Sequence, residues 1–333
     1  MNSILPTMRF PFFKRKSKDQ LYTIAFYNVE NLFDAENNKQ TLDEDFTPTG
    51  FKEWTLERYA SKRSKLARTI FDIGKEDNKY PPVLIGISEV ENQTVIEDLL
   101  RTIPLDGLNY SYVHYESPDE RGIDTAFLYN PKFFQVISSE ALPLLVANLN
   151  GARDTTRDIL YVKGTLNNEI VHVFVNHWPS RRDGGDVTEY KRLVAANVIK
   201  EKMKIIEESE LSPNYLVMGD FNDDPTSKSI QNLLEDSSLY NPMEKLHHPK
   251  QRGSANYKKT WSLFDQIIIS HNFLNHDKGT HSFSNANIFD ASFLKEKSGK
   301  YKGNPYRTYA GSKYLGGFSD HFPVYVILKF NPK

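Results

Sequence analysis

Short apolar runs that stop on a polar residue recur along the whole chain. The runs 22–27, 83–88, 110–114, 124–129, 133–138, 158–166, 170–176, 215–219, 266–269 and 324–330 predict β-strands. They are rich in Val, Ile, Tyr and Phe and end near Gly, Pro, Asn or Asp. Val83-Leu84-Ile85-Gly86-Ile87 is apolar without alternation, which predicts a strand covered on both faces. Two stretches change period. Leu56, Tyr59, Arg63, Leu66, Ile70 and Ile73 recur at three and four residues, as do Leu193, Ala196, Ile199, Met203 and Ile206. Both predict helices, and Asp186 followed by Glu189 predicts a capping box at the start of the second. Helices set among many strands predict a layered α/β sandwich rather than a barrel.

No linker or fixed-period repeat divides the chain, so residues 21–331 read as a single domain. The stretch 275–317, rich in Ser, Asn, Gly, Tyr and Lys, has weak periodicity and reads as a long insertion near the site. With 333 residues, 39% hydrophobic and 26% charged, the chain can bury a large core. A net charge of −1 gives no global basic field. The absence of cysteine excludes disulfides, thiolate chemistry and sulfur-ligated zinc. No run approaches the roughly 20 apolar residues that span a bilayer. In Met1–Gln20, Pro6, Arg9 and Pro11 interrupt the apolar residues, and Lys14-Arg15-Lys16 follows them instead of preceding them. That order does not fit a secretory signal. Residues 1–20 are expected to form a flexible arm, in preference to a membrane-surface anchor built from Phe10, Phe12 and Phe13. A cytoplasmic, monomeric protein is the expectation.

The chemistry sits where the apolar runs end. Asn28 and Glu30 follow the first run and share one direction if the strand continues. Glu89 closes the second run, where a partly buried carboxylate calls for a partner or a metal. His177 precedes Trp178-Pro179, and Arg181 and Arg182 follow with fork-shaped anion donors. Asp220 and Asn222 flank Phe221 and aim together if the backbone stays extended. Asp265 stands at the entry of a strand, and Asp320-His321 just before the last one. Carboxylates, an amide and imidazoles at strand ends suit a hard divalent cation and acid–base work on a phosphate ester.

In this order, Asn28, Glu89, His177, Asp220-Phe221-Asn222, Asp265 and Asp320-His321 resemble the endonuclease/exonuclease/phosphatase superfamily, from about Tyr22 to Phe330. That superfamily includes DNase I, abasic-site endonucleases, bacterial sphingomyelinases and inositol polyphosphate 5-phosphatases. The resemblance implies a four-layer α/β/β/α sandwich with two facing mixed β-sheets and one or two Mg²⁺ ions, Mn²⁺ being an alternative. It implies Glu89 as principal metal ligand, helped by Asn28 and Asp320. Asp220 and Asn222 would hold water, phosphate or a second ion. His321, oriented by Asp265, would be general base or phosphate contact, and His177 would assist the leaving group. Arg121 also sits where the superfamily brings polar groups towards the phosphate, which Arg181, with its fork-shaped donors, would contact as well. Repair enzymes of the superfamily usually carry Tyr where His177 stands, so the chain looks closer to bacterial nuclease-like members.

The expected function is therefore metal-dependent cleavage of nucleic acid. A phosphatase or phospholipase acting on a small or lipid phosphoester is the alternative, and a non-catalytic binding module the third class. For nucleic acid, Ser292–Tyr314 carries Lys295, Lys297, Lys300, Lys302, Arg307 and Lys313 against one acid, Glu296. Tyr301, Tyr306, Tyr309 and Tyr314 are interleaved, offering stacking surfaces.

Overall fold

The computed structural model describes residues 20–148, 151–182 and 184–333. The expected arm lies outside them, except for Gln20, where the first strand begins. In chain order the sheet strands are β1 (Gln20–Leu32), β2 (Leu84–Val90), β3 (Ser111–His114), β4 (Asp124–Tyr129), β5 (Phe134–Leu142) and β6 (Ile159–Leu166). They continue with β7 (Glu169–His177), β8 (Tyr215–Asp220), β9 (Leu239–Tyr240), β10 (Asp265–Ser270), β11 (His281–Ile288) and β12 (Val324–Phe330). Among the described residues the four α-helices are α1 (Leu56–Asp72), α2 (Gln93–Leu100), α3 (Glu189–Glu207) and α4 (Lys228–Leu234).

The strands form two six-stranded mixed sheets, ordered β11-β12-β1-β2-β4-β3 and β9-β10-β8-β7-β6-β5. Only β1–β2 and β7–β8 are parallel among these neighbours. Period two sorts the second sheet's side chains into two cores. Val173, Val175, Leu216, Met218, Ile267 and Ile269 join the core shared with the first sheet. Their neighbours Phe174, Tyr215, Val217 and Ile268 pack instead with Ala196, Ile199, Met203 and Leu233 of α3 and α4. Leu66 and Ile70 of α1, with Ile96 and Leu99 of α2, are buried with the first sheet. The result is the expected α/β/β/α sandwich. Among the described residues, no helix is long and apolar enough to cross a membrane.

Three local expectations change. Several strands run past their apolar runs to include Asn28, Glu89, His177, Asp220 or Asp265, because ladder pairing is a backbone property that side-chain polarity does not interrupt. The stretch 275–317 is not wholly an insertion: His281–Ile288 pairs antiparallel with β12 at the sheet edge. Its run Ser-Asn-Ala-Asn hides the strand, since an edge position buries little of it. Nor does Asp186 cap α3. Thr188 takes the N-cap position, and its hydroxyl donates to the Gly184 carbonyl (2.9 Å) while accepting from Arg192 (2.7 Å).

Gly86 of β2 packs closely against the facing sheet. A β-carbon there would stand 3.0 Å from Val175 Cγ1 and 2.7 Å from Met218 Sδ on the facing sheet. Gly86→Val should therefore destabilise the protein by about 1–3 kcal/mol through overpacking, read from urea unfolding.

Candidate active site

Strand direction gathers the polar residues at one edge. β1, β2, β7 and β8 end there, while β10 and β12, antiparallel to β8 and β1, begin there. Asp220 consequently stands opposite both His177 and Asp265 in the ladder. Asn28 and Glu89 arrive from the first sheet and His321 from the bend before β12.

At this edge the backbone leaves ordinary strand geometry. Glu30, Asn31, Glu89 and Asn222 have φ of 52°, 53°, 65° and 50°, and both β1 and β2 shift register there. Such residues cost of order 1–3 kcal/mol each unless their surroundings fix them. Side-chain bonds do so here. Glu89 Oε2 accepts from the Asn31 N–H (2.9 Å), Asn28 Oδ1 from the Glu30 N–H (2.9 Å), and Asp220 Oδ1 from the Asn222 N–H (2.9 Å).

Asn28 joins the sheets: its amide donates to Asp220 Oδ2 (2.9 Å) and Glu89 Oε1 (3.3 Å). His177 Nε2 lies 3.8 Å from each of the same two oxygens. His321 Nδ1 sits 2.6 Å from Asp265 Oδ2, and its Nε2 faces Asp220 Oδ2 at 3.9 Å. The two imidazoles differ in charge. Burial pulls His321 down, but Asp265 and Asp220 outweigh it and hold the ring well above the usual histidine range. Burial, with the nearby Arg157 and Arg121 charges, pushes His177 well below that range. Burial pushes Asp220 up to about 6, against the pull of His321. The edge thus carries a neutral imidazole and an imidazolium on either side of one carboxylate.

Other expected residues sit differently. Asn28 and Glu30 diverge, because the left-handed turn sends Glu30 towards Lys62 (3.8 Å) and the Thr308 N–H (2.6 Å). Asp320 is paired with Arg307 (2.7 Å), which also reaches Glu30 at 3.7 Å, so its carboxylate faces an arginine. Arg181 is spent on Asp223 Oδ1 (2.5 Å) and the Asn222 carbonyl (2.7 Å); it braces the loop after β8 instead of offering a free fork. Asn222 turns its amide to the Trp178 carbonyl (2.9 Å), since its positive φ breaks the extended geometry expected of it. Arg121 stays partly exposed, 3.5 Å from Asp119. Tyr309 packs on Trp54 and Phe46, Tyr314 lies under Arg58, and Tyr306 bonds the Leu315 carbonyl, which leaves Tyr301 as the exposed ring of the four.

Sequence reasoning passed over Lys62 and Arg157. Lys62 is buried, donating to Thr308 Oγ1 (2.5 Å) and the Phe318 carbonyl (2.7 Å), and burial draws it down to about 8. A lysine within the apolar stripe Tyr59, Leu66, Ile70 was its signal. Arg157 is buried on Asp119 (3.0 Å) and the Trp178 carbonyl (2.8 Å), with no local pattern to mark it.

The chain matches the Endonuclease/Exonuclease/phosphatase family over residues 23–330 and belongs to that family, whose members are phosphoester hydrolases. No curated protein matches it significantly. Among solved structures it is similar to an endonuclease/exonuclease/phosphatase family protein from Bacteroides thetaiotaomicron, at 16% identity and TM-score 0.56, covering 95% of this chain and 100% of that one. A mannosyl-6-phosphatase from the same organism aligns at 17% identity and TM-score 0.55, over 93% and 100% of the two chains. The human Nocturnin catalytic domain, with a bound sulfate anion, aligns at 15% and 0.54, over 94% and 98%. These likenesses establish the fold.

The raised value of His321 carries a sign. Its stabilising charge is fully present below the unfolded pKa of about 6.5 and is lost as pH rises through the higher folded value. In metal-free buffer, His321→Ala should cost roughly 3 kcal/mol at pH 6, and the gap to wild type should narrow as pH rises towards 9. Chemical denaturation at both pH values checks it.

Proposed function

We propose that this protein is a divalent-metal-dependent phosphoester hydrolase acting by water attack, with a phosphodiester of nucleic acid as the leading substrate. The observation that carries the reading is the convergence of Asn28, Glu89, His177, Asp220 and the Asp265–His321 pair at one sheet edge. The donor set fits Mg²⁺ or Mn²⁺ through the hard oxygens of Glu89, with Asp220 beside them, while Asn28, an expected ligand, turns its NH2 to both carboxylates and its Oδ1 to the Glu30 N–H. Asp320, facing Arg307, is the weaker candidate ligand. Bound there, the cation would withdraw charge from the phosphoryl oxygens.

The chain's own residues divide the remaining work. Asp220, buried and raised to about 6, accepts a proton from the attacking water. His321, held as an imidazolium by Asp265, contacts the phosphoryl oxygens. His177, neutral at this depth, donates a hydrogen bond towards the leaving oxygen. Arg181 and Asn222 brace the loop that follows Asp220. Exposed Lys297, Lys300 and Lys302 favour a polyanionic strand, although the packed tyrosines offer it little stacking. The likeness to a mannosyl-6-phosphatase favours a small phosphate ester as the second reading.

Asp220→Ala or His321→Ala should lower turnover by about 10²–10⁴ fold while far-ultraviolet dichroism stays native. Turnover near wild type in either variant would end this mechanism. A panel of plasmid and single-stranded DNA, RNA, bis(p-nitrophenyl) phosphate, inositol phosphates, mannose 6-phosphate and sphingomyelin, with Mg²⁺ or Mn²⁺, separates the substrate readings. Protonating Asp220 removes negative charge beside Glu89, so Mn²⁺ affinity should be level above about pH 6 and fall as pH drops through that value. Titration calorimetry at pH 7.5, 6 and 5 measures it.

A further inference from the structure

Beyond His177, where the chain continues through Pro179 and Ser180, lies a cleft of about 320 Å³. Its walls are polar and mostly cationic: Arg121, Arg153, Arg157, Arg182 and Lys191 line it, against Asp119, Glu120 and Asp154. Two of these carboxylates are already engaged. Asp119 holds Arg157 (3.0 Å), and Asp154 holds Lys191 (2.6 Å). Arg153 and Arg182 are exposed at the cleft wall, and Arg121 is partly so.

The cleft wall also contains buried polar atoms without partners. Thr156 and Arg157 are 3% and 5% exposed, and neither Thr156 Oγ1 nor Arg157 Nε makes a hydrogen bond among the described residues. A buried donor left unpaired beside a cationic cavity points to a ligand that accepts hydrogen bonds and carries negative charge. The cleft is also joined to the active edge. The Trp178 carbonyl accepts from Arg157 Nη2 (2.8 Å) on one side and from Asn222 Nδ2 (2.9 Å) on the other. Arg157 and Arg121 are close enough to His177 for their charges to add to burial in lowering its pKa.

We propose that this cleft is a second anion subsite, which holds a further phosphate group of the substrate while another phosphate is cleaved at Asp220 and His321. The proposal rests on the hydrolase reading above and narrows it to substrates with at least two phosphates. Such groups occur both in a nucleic-acid strand and in a small bisphosphate. Arg153 and Arg182 meet the incoming anion at the rim, and Arg157 and Thr156 form the floor.

The test compares paired substrates differing by one phosphate: thymidine 5′-(p-nitrophenyl phosphate) with its 3′-phosphorylated form, and glucose 1-phosphate with glucose 1,6-bisphosphate. Wild type should favour the doubly phosphorylated member of one pair about tenfold or more in kcat/KM, and that pair identifies the source. In the double variant Arg153→Ala, Arg182→Ala the ratio should fall towards one. No preference in either pair, or a preference that the double variant keeps, overturns the subsite. Calorimetry of inorganic pyrophosphate with metal-free protein reads the cleft without turnover. Binding about tenfold weaker in the double variant supports it, and equal binding overturns it. If no substrate is hydrolysed while pyrophosphate binding still depends on the two arginines, the hydrolase reading fails and the anion site stands.

Discussion

The side-chain amide of Asn28 ties the two sheets together at the edge where their carboxylates face each other. Glu89 comes from one sheet, and Asp220 and Asp265 from the other; without intervening donors they would repel in a buried setting. Asn28 supplies hydrogen atoms to Glu89 and Asp220, and the His321 imidazolium supplies charge to Asp265 and Asp220. An amide placed there satisfies acceptors without adding a charge that would oppose a cation. The arrangement is held together by donors and still leaves hard oxygens for a metal.

The charges around this edge are graded. Next to Asp220 the two imidazoles are pushed in opposite directions: burial, reinforced by Arg157 and Arg121, holds His177 well below the usual histidine range, while Asp265 and Asp220 overcome burial and hold His321 well above it. Behind β1 a second group, Lys62, Glu30, Arg307 and Asp320, pairs its charges internally. That group fixes the chain before β12 against α1, which in turn sets where His321 stands. Ser319 completes the link by donating to the Asn28 carbonyl (2.7 Å) and accepting from the His321 N–H (3.1 Å). The placement of His321 and Asn28 is thus coupled to a buried charge network behind the edge.

Local strain follows from the same demand. A regular strand sends neighbouring side chains to opposite faces, so bringing Asn28, Glu89 and Asp220 to one point requires departures from that geometry. The left-handed residues Glu30, Asn31, Glu89 and Asn222 are those departures, and each lies within hydrogen-bonding reach of a site carboxylate or of a group bonded to one.

The apolar runs by themselves determined the strands of both sheets except β9 and β11, and the two long helices. Their polar ends marked Asn28, Glu89, His177, Asp220, Asp265 and His321, because a polar residue closing a buried run has few other reasons to be there. The position of Asp265 at a strand entry suggested only that it could orient a histidine, and the family resemblance supplied His321 as its partner. Sequence could not say where backbone turns left-handed, and so it read Glu30 as a companion of Asn28 and Asn222 as a companion of Asp220. It could not foresee that Arg181 and Asp320 would be neutralised by partners 42 and 13 residues away. Lys62 and Arg157 gain their roles only from burial against distant segments, and the edge strand His281–Ile288 only from pairing with β12. Hydrophobic pattern is written residue by residue, whereas charge pairing depends on which chain segments the packed sheets bring together.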